Sequence, residues 1–105
     1  MTFAAVFTYE VEPAGVEAFE AMYGPEGELA RFFGSGAGYL GTELWWSVDA
    51  NPRRYLVIDR WHSATTYSSF RRAHEEEYQR RSRGVEVLYQ AENVIGLFES
   101  PDGVA

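Results

Sequence analysis

The sequence contains neither cysteine nor lysine. Without cysteine, disulfides, thiol nucleophiles and thiolate metal ligands are excluded. Without lysine, Schiff-base chemistry and a phosphate-binding P-loop are excluded as well. No apolar run approaches the ~18 residues of a membrane-spanning helix, and no basic segment followed by an apolar one indicates a signal peptide. We therefore expect a cytoplasmic protein that does not bind a membrane.

Positive charge is scarce. Sixteen acidic residues against nine basic ones give a net charge of −7, which argues against a nucleic-acid partner, because such partners select basic surfaces. A length of 105 residues with 46% hydrophobic and 24% charged residues is typical of one globular domain. We expect this domain to occupy residues 1–105, with a loose tail after about residue 100.

Residue periodicity predicts strand, helix and strand, twice over. Strands are predicted at 3–11, 38–48, 54–61 and 92–99, with residues 85–89 ambiguous. Helical spacing follows Pro13 in two pieces, and a long helix is predicted from Ser63 to about Ser82. Turn residues 49–52 predict a hairpin. The prediction is an α+β, ferredoxin-like βαββαβ fold with a four-stranded antiparallel sheet and both helical segments on one face.

The other face of this sheet would be uncovered. Phe3, Phe7 and Tyr9 share one face of the first strand, and the hairpin is rich in tryptophan and tyrosine. Exposed apolar area of this kind implies a partner, so we predict a homodimer formed through the sheet. Accordingly, we expect Phe7→Asp to dissociate or unfold the protein, since a charge would be buried in that interface.

Several sequence patterns for cofactors and metals fail. The glycines of Gly36-Ala-Gly38-Tyr-Leu-Gly41 follow a helix and precede a strand, whereas a dinucleotide fingerprint needs the reverse order. His62 and His74 lie twelve residues apart, without a second pair at metal-ligand spacing. We expect no metal, flavin or heme.

A stripe of residues on the long helix offers titratable chemistry. His74 falls on the same helical face as Tyr67, Phe70 and Tyr78, which predicts that it faces the sheet. An aromatic enclosure would favour a neutral imidazole able to accept a proton, and the flanking Arg71 would hold a substrate anion. A partly buried histidine bonded to a backbone carbonyl is the alternative.

Adjacent tryptophans on one strand must point to opposite faces. One of Trp45 and Trp46 is therefore predicted to face the helices and the other the dimer partner. These side chains, together with Trp61, Tyr67 and Tyr78, line a cavity or form core; the sequence leaves both possibilities open.

Four segments resemble the antibiotic biosynthesis monooxygenase (ABM) family of the dimeric α+β barrel superfamily. They are Gly38-Tyr-Leu-Gly-Thr-Glu-Leu, Tyr55-Leu-Val-Ile-Asp-Arg-Trp-His-Ser, the spacing Tyr67…Phe70…Tyr78, and Glu92-Asn-Val-Ile-Gly-Leu-Phe. The resemblance implies a homodimer in which each protomer holds a pocket between its own sheet and helices. The heme-degrading branch fits poorly, because Thr8 and Phe70 stand where that branch has asparagine and tryptophan.

The resemblance also implies a function. Some relatives oxidise anthrone-like or quinol substrates with dioxygen and no cofactor, which requires a base, an anion stabiliser and a dry pocket. His74 or a tyrosine is then the base, and Arg71 or Arg60 the anion stabiliser. The residues expected at the substrate pocket are Thr8, Phe33, Trp45, Trp46, Arg60, Tyr67, Phe70 and Tyr78.

Two functions therefore stand side by side. One is a cofactor-independent monooxygenase acting on a small phenol, quinol or anthrone-like molecule. The other is a non-catalytic dimeric protein of the same fold that binds small molecules or is associated with stress. A cavity of ~300 Å³ or more would favour a ligand, whereas a pocket filled by Phe33, Phe70 and Tyr78 would favour a structural role.

Overall fold

The computed structural model describes residues 2–82, 89 and 91–101. The strands are β1 (Thr2–Val11), β2 (Tyr39–Trp46), β3 (Arg53–Trp61) and β4 (Ala91–Ser100); the helices are α1 (Val16–Tyr23), α2 (Glu28–Phe33), α3 (Ala64–Ala73) and α4 (Glu75–Ser82). The sheet order is β2-β3-β1-β4, with every neighbouring pair antiparallel. The predicted α+β, ferredoxin-like fold is confirmed. The predicted tail and most of the ambiguous segment 85–89 lie outside the described residues.

The inner face of the sheet carries the core. Alternate residues of β1 and β3 are buried beneath the helices; on β1 they are Phe3, Ala5, Tyr9 and Val11, and on β3 they are Tyr55, Val57, Asp59 and Trp61. Phe7 lies on this same side and packs against both clusters of buried residues. The expectation that Phe3, Phe7 and Tyr9 form the uncovered face is therefore wrong: their shared face is covered by helices.

The outer face of the sheet is formed by the other set of alternating residues. Val6, Thr8, Leu56 and Ile58 are paired across β1 and β3 there and are only partly buried. Trp45 pairs with Leu56 and so lies on this outer face, 59% exposed. Trp46 pairs with Tyr55 on the inner face, which confirms the predicted opposition of the two tryptophans.

The predicted single helix 63–82 is divided in two. Ser63 caps α3 as expected, with its side chain accepting a hydrogen bond from the Thr66 backbone N–H in a capping box. The helix ends at His74, whose φ of −120° and ψ of 24° are not helical, and α4 begins at Glu75. Residues on either side of this break do not share one continuous helical face, since the register of side chains changes there.

Two glycines in the loop before β2 are needed for close packing against α3. A Cβ atom at Gly36 would lie 2.3 Å from the Phe70 ring, and one at Gly38, whose φ is +90°, would lie 2.8 Å from the Thr66 Cβ. The Gly38 carbonyl accepts a hydrogen bond from the His62 backbone N–H at 2.6 Å. The glycine pattern is thus explained by chain packing. None of the helices in the described part of the chain is both long and apolar enough to cross a membrane.

Candidate active site

A small cavity lies between the inner face of the sheet and the helices. Its volume is about 20 Å³, which is room for roughly one water molecule. It is lined by Phe7, Tyr9, Tyr23, Leu29, Phe33, Val57, Asp59 and Tyr78. Five of these eight side chains carry an aromatic ring, so the walls are mostly apolar, with the Asp59 carboxyl and three tyrosine hydroxyls as the polar groups among the lining residues.

Asp59 on β3 is the charged residue that lines this cavity. It is only 9% exposed, and Thr42 on β2 donates a hydrogen bond of 2.7 Å to its Oδ1. The Tyr39 hydroxyl is hydrogen-bonded in turn to Thr42. Burial raises the pKa of the Asp59 carboxyl to about 6, against the opposing effect of the Thr42 hydrogen bond. A carboxyl in such a setting exchanges its proton near neutral pH.

Tyr78 on α4 closes the cavity opposite the sheet. Its ring stacks on Phe33 with centroids 6.2 Å apart and an interplanar angle of 19°. The Arg71 guanidinium carbon lies 3.9 Å from the Tyr78 ring centroid, a cation–π contact. Burial raises the pKa of the Tyr78 hydroxyl and the charge of Asp59 adds to this, whereas Arg71 lowers it.

Arg71 is held in place by a second tyrosine. Its Nη1 donates a hydrogen bond of 2.9 Å to the Tyr67 hydroxyl, and its Nη2 lies 4.0 Å from a Glu75 carboxylate oxygen. The buried Nε–H has no acceptor among the described residues. A guanidinium with a free buried donor next to an aromatic cavity is suited to hold an anion.

The other two tyrosines of the cavity are neutral phenols. Burial raises the pKa of both Tyr9 and Tyr23 well above the usual tyrosine value. Their rings are 4.9 Å apart, and neither hydroxyl is suited to act as a base near neutral pH. Among the residues that line the cavity, Asp59 is thus the group whose pKa, about 6, lies nearest to neutral pH.

The structure divides the predicted pocket residues between several places. Phe33 and Tyr78 line the cavity, whereas Tyr67 and Phe70 belong to the core around Trp61. Thr8, Trp45 and Arg60 lie on the outer face of the sheet, where Arg60 pairs with Glu43 at 3.3 Å. Trp46 borders an open groove at the β2 edge.

His74 does not line the cavity. Its ring centroid lies 4.4 Å from that of Phe70 and 6.0 Å from that of Phe32, so its neighbours are helical residues. The expectation that it faces the sheet fails because the helix breaks at this residue. The role of His74 as a base stays a prediction, and its side chain is not among the residues that line the cavity.

Sequence reasoning missed Asp59, although a signal for it was present. Tyr55, Val57 and Trp61 occupy alternate positions of a predicted strand, and Asp59 falls on the same face. A carboxylate within a row of buried aromatic and apolar residues is a candidate for function, because an unneeded buried charge is costly.

Larger grooves exist on the surface. One of about 570 Å³ lies between the β2 edge and the α1–α2 turn, bordered by Glu20, Leu44 and Trp46. We place the candidate site in the smaller cavity because the buried carboxyl and the arginine-covered phenol meet there. In the part of the chain that the structure describes, no three histidine, aspartate or glutamate residues come together as metal ligands.

Solved structures share this fold over nearly the whole chain. A mutant of SnoaB, a cofactor-independent oxygenase from Streptomyces nogalater, superimposes with a TM-score of 0.70 at 17% identity, over 95% of this chain and 93% of that one. Rv0793 from Mycobacterium tuberculosis gives 0.71 at 15% identity, over all of both chains.

A Nitrosomonas europaea protein assigned as an antibiotic biosynthesis monooxygenase superimposes with a TM-score of 0.67 at 14% identity, over 99% of this chain and 94% of that one. No protein-family model matches the sequence, and no curated protein does. The resemblance to the ABM proteins predicted from the sequence is confirmed at the level of the fold.

Proposed function

Starting from the fold shared with the ABM proteins, we propose that this protein is a cofactor-independent monooxygenase acting on a small phenol, quinol or anthrone-like molecule. The observation that carries the proposal is the buried Asp59 carboxyl facing an aromatic cavity. SnoaB, which has the same fold, is a cofactor-independent oxygenase. Such chemistry requires a base and an anion stabiliser in a site from which water is excluded.

The residues at the cavity suit the first step of this reaction. Asp59 takes a proton from the substrate, and its pKa of about 6 makes it a better base than an ordinary aspartate. Arg71, 3.9 Å from the Tyr78 ring, stabilises the resulting anion. The aromatic walls exclude water, which strengthens both interactions.

The proposed reaction needs no external reductant, because the quinol itself supplies the electrons. A deprotonated quinol gives electrons to dioxygen, and a carbon–oxygen bond forms at a ring carbon. The resulting hydroperoxide breaks its oxygen–oxygen bond; one oxygen atom stays on the ring and the other leaves as water, taking the proton held by Asp59. A p-quinol thus yields a hydroxyquinone and one water molecule, since oxidation of the quinol and hydroxylation of the ring together supply four electrons.

The test is oxygen consumption by the purified protein with a set of quinols and anthrones, followed by mass spectrometry of products formed under ¹⁸O₂. We expect protein-dependent consumption and one labelled oxygen atom per product. Heat-denatured protein controls for spontaneous oxidation. Hydrogen peroxide formed with an unlabelled quinone would show a simple oxidase, and no consumption above the control would contradict the proposal.

One observation favours the non-catalytic alternative. The cavity of about 20 Å³ is far smaller than the ~300 Å³ of a typical ligand site, and Phe33 and Tyr78 help to fill it. A dimeric protein of this fold that binds molecules elsewhere, without turnover, would show this closed core. The oxygen-consumption experiment separates the two functions.

We further propose that the protein is a homodimer formed through the outer face of the sheet. Trp45 on β2 and Phe98 on β4 are 59% and 49% exposed on this face, and Leu56 and Ile58 lie on β3, between those two strands in the sheet. Contiguous apolar area of this kind marks an interface, and an isologous one is formed by a two-fold axis.

Sedimentation at micromolar concentration should give about twice 11.9 kDa. Leu56→Asp should shift this to the monomer mass with an unchanged far-UV spectrum, because a charge would be buried in the interface and not in the core. Val48→Asp is the matched control, since Val48 is 95% exposed in the β2–β3 turn. A monomeric parent protein would contradict the proposed interface.

A further inference from the structure

Tyr78 occupies the candidate site in the way that a substrate would. Its phenol ring stacks on Phe33, lies beneath the Arg71 guanidinium and shares the cavity with the Asp59 carboxyl. Phe33 supplies an apolar wall and Arg71 an anion stabiliser, both in contact with the Tyr78 ring, and Asp59 supplies a base in the lining of the same cavity. The phenol ring of Tyr78 thus fills the space that a phenolic substrate would occupy.

The polar groups around Tyr78 exceed what a core tyrosine needs. A packed tyrosine needs one partner for its hydroxyl, yet a buried carboxyl and an arginine with a free Nε–H both stand at this ring. A buried carboxyl and a partly exposed guanidinium with a buried, unpaired Nε–H would be costly to bring to one phenol if their only purpose were packing.

We propose that Tyr78 is a built-in substrate mimic that sets the size of the ligand, so that the site takes single-ring phenols and quinols in place of its ring. This deepens the proposed function and rests on it. The proposal narrows the substrate class and excludes fused three-ring molecules such as anthrones.

Cavity size supports this limit. The space left beside Tyr78 is about 20 Å³, so a ligand enters only when the Tyr78 ring turns out. The space then gained is that of one six-membered ring, and a dry protein cavity of about 150 Å³ holds one benzene molecule. The other lining residues belong to β1, α1, α2 and β3, and on this proposal they leave no room for a second and third ring.

The position of Tyr78 on α4 makes this exchange feasible. No residue of α4 is fully buried, and the helix is tied to α2 by the partly exposed ion pair between Arg81 and Glu28 at 3.4 Å. Such surface pairs are weak. The wall formed by β1 and β3, in contrast, belongs to the hydrogen-bonded centre of the sheet.

The test is binding of p-cresol, which has the structure of a tyrosine side chain, measured by calorimetry under anaerobic conditions. In Tyr78→Ala, p-cresol should bind with one site per chain, about tenfold or more tighter than in the parent protein, whose open state is minor. It should also raise the melting temperature in a concentration-dependent manner. Anthrone should not bind to either protein.

Two further variants complete the design. Trp46→Ala removes an aromatic ring that is half exposed at the β2 edge and lies outside the cavity lining, so the affinity of this variant for p-cresol should stay at the parent value. Tyr78→Leu opens a smaller space with less loss of packing and should bind p-cresol between the two extremes, which provides a measurement if Tyr78→Ala does not fold.

Failure of this inference is distinguishable from failure of the proposed function. A folded Tyr78→Ala or Tyr78→Leu that binds no p-cresol, or binds anthrone equally well, overturns the mimic. Anthrone turnover by the parent protein, without turnover of single-ring quinols, overturns it too but supports the monooxygenase. Binding of p-cresol as expected, without oxygen consumption on any quinol, supports the mimic and overturns the monooxygenase.

Discussion

Asp59→Asn should abolish turnover and at the same time stabilise the protein. Loss of the base removes about 100-fold or more of the rate. The asparagine amide has nearly the same shape as the carboxyl and keeps an oxygen for the Thr42 hydrogen bond of 2.7 Å. It carries no charge, so the desolvation penalty that raises the pKa of Asp59 to about 6 is removed.

The stability gain depends on pH in a defined direction. The folded protein binds the Asp59 proton more tightly than the unfolded chain, whose carboxyl has a pKa near 3.8. The free energy of unfolding therefore falls as pH rises from about 4 to 6, by about 3 kcal/mol at most. Asp59→Asn should be more stable than the parent protein above pH 6 by about this amount and equally stable near pH 4.

Urea denaturation at several pH values and oxygen consumption on the same preparations check both effects. Asp49→Asn is the matched control, because Asp49 is exposed in the β2–β3 turn and should change neither. Full turnover in Asp59→Asn would show that Asp59 is not the base. If His74→Ala abolished turnover in a folded protein instead, the histidine predicted from the sequence would be the base after all.

Phe7→Asp should unfold the protein rather than dissociate it. Phe7 packs against both core clusters and lines the cavity that holds Asp59. Replacement removes a core aromatic ring and buries a second carboxylate beside the first, at a cost of about 4 kcal/mol or more. A domain of this size has about 5–15 kcal/mol of stability, so we expect the melting temperature to fall by about 15 °C or more.

Thr8→Asp is the control for this variant, one residue further along β1 and on the outer face. It should leave the far-UV spectrum unchanged while weakening the dimer. Circular dichroism and sedimentation distinguish the two. A folded monomeric Phe7→Asp would support the predicted interface role of Phe7 and would contradict its packing in the core.

The fold was predictable because its signals are local. Alternation in β1 and β3, the Ser63 cap and the β2–β3 turn each determine one element by short-range geometry. The break at His74 was not predictable, because no glycine, proline or capping signal in the sequence marks it and the residues on both sides of it are compatible with helix. Which face of β1 the helices cover is likewise a tertiary choice, since both faces are apolar.

The candidate site was predictable in part. Phe33 and Tyr78 line the cavity, and Arg71 lies against the Tyr78 ring. Thr8, Trp45 and Arg60 do not line the cavity, because strand alternation turns them to the outer face. The same alternation turns the Asp59 side chain inward. Strand alternation, applied to β3, therefore indicates Asp59 as a candidate site residue.

The three tryptophans give this protein three separate optical reporters. Trp61 is fully buried in the core, Trp45 is 59% exposed on the outer face, and Trp46 lies at the sheet edge beneath the Arg53 guanidinium, 5.2 Å from its ring. A variant that keeps only Trp61 follows unfolding, because its emission changes only when water reaches the core. A variant that keeps only Trp45 follows whatever covers the outer face, so loss of a subunit contact and loss of the fold appear as different spectral events.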